Sequence, residues 1–176
     1  MIKKISKILI YIFLFTLTFM LFLPKESLYN LIEKELEKKQ IIISNELRNE
    51  GLFNLDVSRA NIYFEGINIS NFDKLEIFSY FYFTKVEVQN ITILDSLSSF
   101  APSPINNISF NHSILNFNKI LINSNGAFGE LKGEFNIFTN TLKIELIASK
   151  EMKNSYSKLL RNMKLENERY IYEYKF

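Results

Sequence analysis

The side chains of this chain that could do chemistry are few and scattered. A single histidine, His112, stands in the strand-like run SFNHSIL, with no cysteine anywhere and no second histidine. It lacks the partner that a catalytic base or a metal site requires. Asp95 neighbours Ser96, Ser98 and Ser99, but no base stands beside them to activate a hydroxyl. Gly126, Gly129 and Gly133 recur every three or four residues. Their context is strand-like, where glycines admit bulges and close packing, not the strand–loop–helix that cradles a phosphate. HExxH, GxSxG, P-loop and GxGxxG patterns do not occur in the sequence. These residues predict a protein that is not an enzyme and uses no cofactor or metal.

The strongest pattern is apolar. Lys3, Lys4 and Lys7 precede residues 8–23 (ILIYIFLFTLTFMLFL), which hold no charge, glycine or proline. From Ile8 through Phe15 to Leu23 the run spans roughly 24 Å as a helix. With Ile5 and Ser6 added and the lysines snorkelling, it approaches the ~30 Å hydrocarbon core of a bilayer. Bulky residues follow where a signal peptidase requires small ones, so the segment reads as an uncleaved anchor. The lysines place the N-terminus in the cytoplasm. The bulk of the chain then lies across the inner membrane, in a bacterial periplasm.

Composition narrows the partners. Without those three lysines the remainder carries 18 basic and 19 acidic residues, a balance that argues against nucleic acid, which needs a clustered basic surface. The absence of cysteine rules out disulfides. Stability must come from the core, and 17 Phe and 9 Tyr supply apolar surface for one.

Periodicity divides the chain into an anchor at 1–23, a juxtamembrane helix at 24–39 and a β-rich domain at 40–176. Pro24 suits a first helical position, and Leu28, Leu31, Ile32 and Leu36 share one helical face. From Gln40 the period is two. Leu55 and Val57 share one parity while Ala60, Ile62 and Phe64 share the other, which predicts a bulge or break near Arg59. Residues 75–83 (LEIFSYFYF) read as one strand, apolar on both faces. Leu75, Phe78, Tyr80, Phe81, Tyr82 and Phe83 are therefore the candidate lining of a core, of an apolar groove or of a partner face. Residues 95–107 read as a long connection, residues 126–148 as a hairpin turning at Asn140, and residues 151–163 as a helix. Tyr170, Tyr172, Tyr174 and Phe176 recur at period two in a last strand, expected to pair in the sheet and bury its aromatic face. The fold class is mainly β: an N-terminal transmembrane helix, then an antiparallel sheet of eight or nine strands with a short helix before the last.

This order of parts resembles the protein N family of type II secretion and, more distantly, the AsmA-like proteins. The stretch Gly129-Glu-Leu-Lys-Gly133 is similar to that family's recurrent G-x-L-x-G strand. The hairpin that follows, the short helix at 155–162 and the tyrosine-rich last strand also match its plan. The run LDVSRANIYFEGINI fits its rhythm, whereas Asn167-Glu168-Arg169 stands where the family has a glycine. The resemblance implies a non-catalytic inner-membrane component of an envelope machine, with other secretion-system proteins and the bilayer as partners. Lipid or lipopolysaccharide carriage through an apolar β-groove is the alternative.

Overall fold

The computed structural model describes residues 2–21, 25–80, 82–94, 97 and 101–176, with the backbone alone at 2, 3 and 19–21. Two helices lead the chain, α1 (Ile2–Leu21) and α2 (Lys25–Glu37). The strands that follow are β1 (Ile41–Ser44), β2 (Leu47–Glu50), β3 (Asn54–Phe64), β4 (Ile67–Tyr80), β5 (Phe83–Ile93) and β6 (Ile105–Ser113). After them come β7 (Lys119–Gly126), β8 (Gly129–Asn136) and β9 (Thr141–Ala148). Helices α3 (Lys150–Ser155) and α4 (Ser157–Leu160) precede β10 (Lys164–Glu166) and β11 (Arg169–Lys175).

All eleven strands form one antiparallel sheet, ordered β1-β3-β4-β5-β6-β7-β8-β9-β11-β10, with β2 continuing β1 along the same edge of β3. The meander follows from short local turns. Glu65 and Gly66 (φ 50° and 81°) close β3 on β4, and Asn167 and Glu168 (φ 46° and 65°) close β10 on β11. Both are mirror-type turns that match strand twist.

Three expectations are corrected. Residues 75–83 are not one strand: β4 ends at Tyr80 and β5 begins at Phe83, its cross-strand partner. No glycine, asparagine or proline marks that turn, and bulky aromatics on both sides conceal it. Residues 151–163 are two short helices, broken where Tyr156 leaves helical geometry at φ −119° and ψ 23°. Among the described residues, no helix is long and apolar enough to cross a membrane. Within α1 the charge-free part, residues 8–21, rises only about 21 Å. Leu23 lies outside the described residues, as do Pro24 and Phe81.

The slip near Arg59 is one station on a line that crosses four strands. Pairing passes from Ser58–Lys74 to Ala60–Phe72, from Lys74–Gln89 to Phe72–Ile91, and from Gln89–Asn107 to Ile91–Ile105. Arg59, Asp73, Asn90 and Asn106 are thereby stepped over. Arg59 and Asn90 adopt positive φ (56° and 53°), and Asn90 Nδ2 donates to Asp73 Oδ2 at 3.0 Å. An extra residue at the same level in each facing strand flips side-chain parity without losing register. Val57 and Ala60, three apart, consequently enter the same core.

That core lies under α2. Tyr29 is fully buried on Leu55, Val57, Ala60, Phe72, Ile77 and Ile91. The Arg48 guanidinium sits 4.5 Å above the Tyr29 ring centroid and pairs with Glu33 at 2.8 Å and Glu46 at 2.6 Å, tying α2 to β2. A second, smaller core gathers Leu146, Ala148, Met152 and Leu160 beneath α3 and α4. Ser149 starts α3 as its cap, its Oγ accepting from Met152 N at 3.0 Å.

Candidate functional site

Residues directly opposite in an antiparallel pair project to the same face, so the registers sort the sheet into two. One face is polar and laced with ions. Lys74 bridges Asp56 and Glu76, each at 3.1 Å, and Lys85 pairs with Glu87. Asn107 Nδ2 donates to Glu87 Oε1 at 2.5 Å. The Lys85 ammonium holds the Glu87 carboxyl below its ordinary range against the opposing pull of partial burial, helped by Gln89 and Asn107. Glu145 joins Lys143 at 3.2 Å and Arg169 at 3.1 Å. Charges of both signs alternate here, the signature of a solvated surface.

The other face is mainly apolar, with Ser79, Thr84, His112 and Ser124 as polar positions within it. Val86 lies opposite Phe110, Phe110 opposite Ile122, Ile122 opposite Gly133, Gly133 opposite Ile144, and Ile144 opposite Tyr172. A neighbouring row runs His112, Ile120, Phe135, Leu142 and Tyr174. Helix α2 covers this face at the β3–β5 end, and α3 with α4 covers part of β8 and β9. Between them no further helix covers the face among the described residues, and Ala101 and Pro102 of the β5–β6 connection border it.

Two hollows occupy the open stretch. The first, about 310 Å³, is lined by Phe110, Ile120, Ile122, Phe135, Leu142 and Phe176, all apolar. The second, about 390 Å³, has Ile105, Leu131, Ile144, Leu146 and Tyr172 from the strands and Met152, Leu159 and Met163 from the helical segment. Asn162 is the one amide side chain among the residues that line this second hollow. Gly133 lies opposite Ile122 of the first hollow and Ile144 of the second. A Cβ there would come within 3.2 Å of Ile122 Cβ and 3.4 Å of Lys143 O, so the missing side chain leaves room for Ile122. Each volume falls in the range of small-molecule sites, roughly 300–1,000 Å³. From β6 to β11 the basin crosses five neighbouring strands, a width of about 19 Å at 4.8 Å per gap.

The sequence-predicted residues sit elsewhere. Leu75 packs at the rim of the α2 core, beside buried Ile77. Phe78 and Tyr80 project to the polar face, their rings stacked at 5.3 Å and continued by Phe53 at 5.7 Å and Tyr82 at 5.9 Å from Tyr80. Phe83 lies opposite Tyr80 on that same face. This strand end makes a surface aromatic ladder and does not line the basin. In α1, Lys4, Lys7, Ile8 and Phe15 are exposed, as are the other described side chains except Thr16; for Lys3 only the backbone is described. His112 is half-buried, its Nε2 3.1 Å from the Phe117 carbonyl oxygen. Among the described residues no group of three acidic, histidine or cysteine side chains could hold a metal.

No known protein family, characterised protein or solved structure matches the chain. The basin's residues were invisible as a site because each reads as ordinary core.

Proposed function

We propose that this chain is a non-catalytic, membrane-seated protein that binds an acyl chain of a lipid in the apolar basin between its helical covers. One observation carries the reading: two apolar hollows lie on the same face of the sheet, across five neighbouring strands that span about 19 Å. One leaflet of the ~30 Å hydrocarbon core measures roughly 15 Å, so that span is long enough for one acyl chain. Each methylene moved there from water contributes about 0.8 kcal/mol. Helix α1 supports seating at a bilayer, because Phe13 and Phe15 are 66% and 71% exposed and Ile8, Leu9 and Ile12 are similarly bare. Such a surface is unfavourable in water. In this reading the N-terminus is cytoplasmic and the sheet lies in the periplasm.

The test uses the full chain reconstituted in phosphatidylethanolamine–phosphatidylglycerol vesicles doped with a phospholipid whose acyl chain carries a diazirine. After irradiation, adducts should map to peptides from β6–β9 as well as to α1. Adducts on α1 alone would refute the acyl-chain reading while leaving membrane seating intact.

The second reading is assembly or scaffolding in a type II secretion machine, as the resemblance of residues 129–162 implies. The aromatic ladder on the polar face favours it, since Tyr82 is 56% exposed there. Mild crosslinking in membranes followed by pull-down should recover an envelope protein; recovery of none would count against it.

A further inference from the structure

We propose that the protein forms a two-fold dimer by pairing the outer edge of β11 with the same edge of a second copy. Strand β10 covers only the beginning of β11: Lys164, Leu165 and Glu166 lie opposite Ile171, Tyr170 and Arg169. The chain ahead of β10 turns under the sheet, where Met163 packs on the core of Leu146 and Met152. Residues 172–175 pair with β9 on their inner side. On their outer side no strand lies beside them among the described residues.

The direction of the free backbone groups follows from the turn and one hydrogen bond. The two-residue Asn167–Glu168 turn makes Glu166 and Arg169 a hydrogen-bonded pair. Arg169, and by period two Ile171, Glu173 and Lys175, therefore aim their N–H and C=O outward. Phe176, of the other parity, donates its N–H inward to the Asn140 carbonyl at 2.9 Å. Glu173 and Lys175 thus present two donors and two acceptors along an open edge, the arrangement that recruits another strand.

The edge is complementary to itself in one register. Laid antiparallel about a two-fold axis through Tyr174, it sets Glu173 opposite Lys175 of the second copy, and Lys175 opposite Glu173. These are the outward-facing residues, so all four new hydrogen bonds fall between oppositely charged partners. On the apolar face Tyr172 meets Phe176 of the other copy and Tyr174 meets its own equivalent. Sliding by two residues brings Glu173 against Glu173 or Lys175 against Lys175, and like charges directly opposite are unfavourable. Sliding by one sets aromatic rows against charged ones. The aromatic strip is already arrayed: Tyr172 and Tyr174 stack at 6.4 Å, and Phe176 meets Tyr174 edge-on at 4.9 Å. Tyr174 and Phe176 are 47% and 72% exposed at this edge. Pairing would join the apolar faces of two copies into one, and the inference stands whether or not that face holds lipid.

Because the chain has no cysteine, Tyr174→Cys introduces a single thiol that faces its own copy. Opposed Cα atoms in such a non-hydrogen-bonded pair lie about 4.5 Å apart, within the roughly 4.4–6.8 Å that a disulfide spans. In membranes holding the full chain, mild oxidation should convert Tyr174→Cys to a disulfide-linked dimer. Leu165→Cys, on exposed β10, should stay monomeric. Either charge reversal, Glu173→Lys or Lys175→Glu, should cut the Tyr174→Cys dimer roughly fivefold or more, and the two reversals together should restore it. Absence of dimer at position 174, equal linkage at 165, or a double reversal that fails to rescue would each overturn the proposal.

Discussion

Ile122→Asn separates an open basin from a closed core by where its cost appears. Ile122 is half-buried on β7, between Phe110 and Gly133, and lines the first hollow. In the ligand-free protein the new amide would be reached by water from the hollow, so it would not be an unsatisfied buried group. Losing about half of a full isoleucine burial, plus the lower strand preference of Asn, should destabilise the fold by only about 1–2 kcal/mol. A bound acyl chain would strip that water away. Desolvating an unpaired amide costs about 1–3 kcal/mol, and the contact of one or two methylenes adds about 1 kcal/mol. Binding should weaken by about 2–4 kcal/mol, a factor of roughly 30 to 700. The diazirine assay reads this with an internal standard: adducts in β6–β9 should fall at least tenfold while α1 adducts hold. Were Ile122 closed core, the variant would instead lose 3 kcal/mol or more of stability (roughly, for a large buried side chain), with all adducts falling together. Unchanged basin adducts in a folded variant would refute the assignment outright.

Four further outcomes follow from the same geometry. Tyr29→Ala removes a fully buried ring and the seat of Arg48 and should cost about 3–5 kcal/mol; denaturant melts showing under 1 kcal/mol would mean α2 does not cover the core. Phe15→Arg should disfavour membrane integration by about 2.5–3.5 kcal/mol on insertion scales, and unchanged retention after carbonate extraction would remove α1 as the seat. Deleting residues 170–176 strips the six-residue pairing with β9 and bares that strand, so the truncated chain should aggregate or be degraded; a melt like that of the intact chain would make β11 a dispensable tail. The Glu87 carboxyl, held low by Lys85, adds stability above its unfolded value near pH ~4.3 that fades as pH falls through its folded value. Glu87→Gln should therefore melt lower than the parent at pH 7 and alike near pH 3, and an equal gap at both would deny the ion pair a role.

How much of this was legible depended on whether the signal was local. The meander was, because alternation and turns are written within ten residues, and the bulge at Arg59 showed as Val57 and Ala60 set three apart. The tyrosine strand was correctly placed in the sheet through its pairing with β9, but Tyr174 and Phe176 are exposed at its edge and not buried as expected. The hairpin at residue 82 was hidden because its turn lacks the usual residues. The basin was illegible for a deeper reason. Ile77 and Ile144 look alike in sequence, yet Ile77 lies fully buried under α2 and Ile144 floors a hollow. What distinguishes them is whether a second layer reaches them, a property of elements far away in the chain.

That second layer can be sized. Ten strands stand side by side in the sheet's main path, a width of about 43 Å at 4.8 Å per gap. Helix α2, with 13 residues, reaches about 20 Å even if laid fully crosswise, and the 6 residues of α3 with the 4 of α4 reach about 15 Å. Together they fall short by roughly 8 Å. A sheet needing only stability has two inexpensive ways to close such a gap: a longer helix after β9, or polar residues along the bare rows. This chain instead sets Phe110, Ile122, Phe135, Leu142 and Ile144 across the opening. Apolar positions that no helix covers among the described residues gain stability in water when something else lies on them. A single acyl chain, flexible and able to lie within the five-strand span, is the simplest occupant that the shape, the length and the absence of charge admit together.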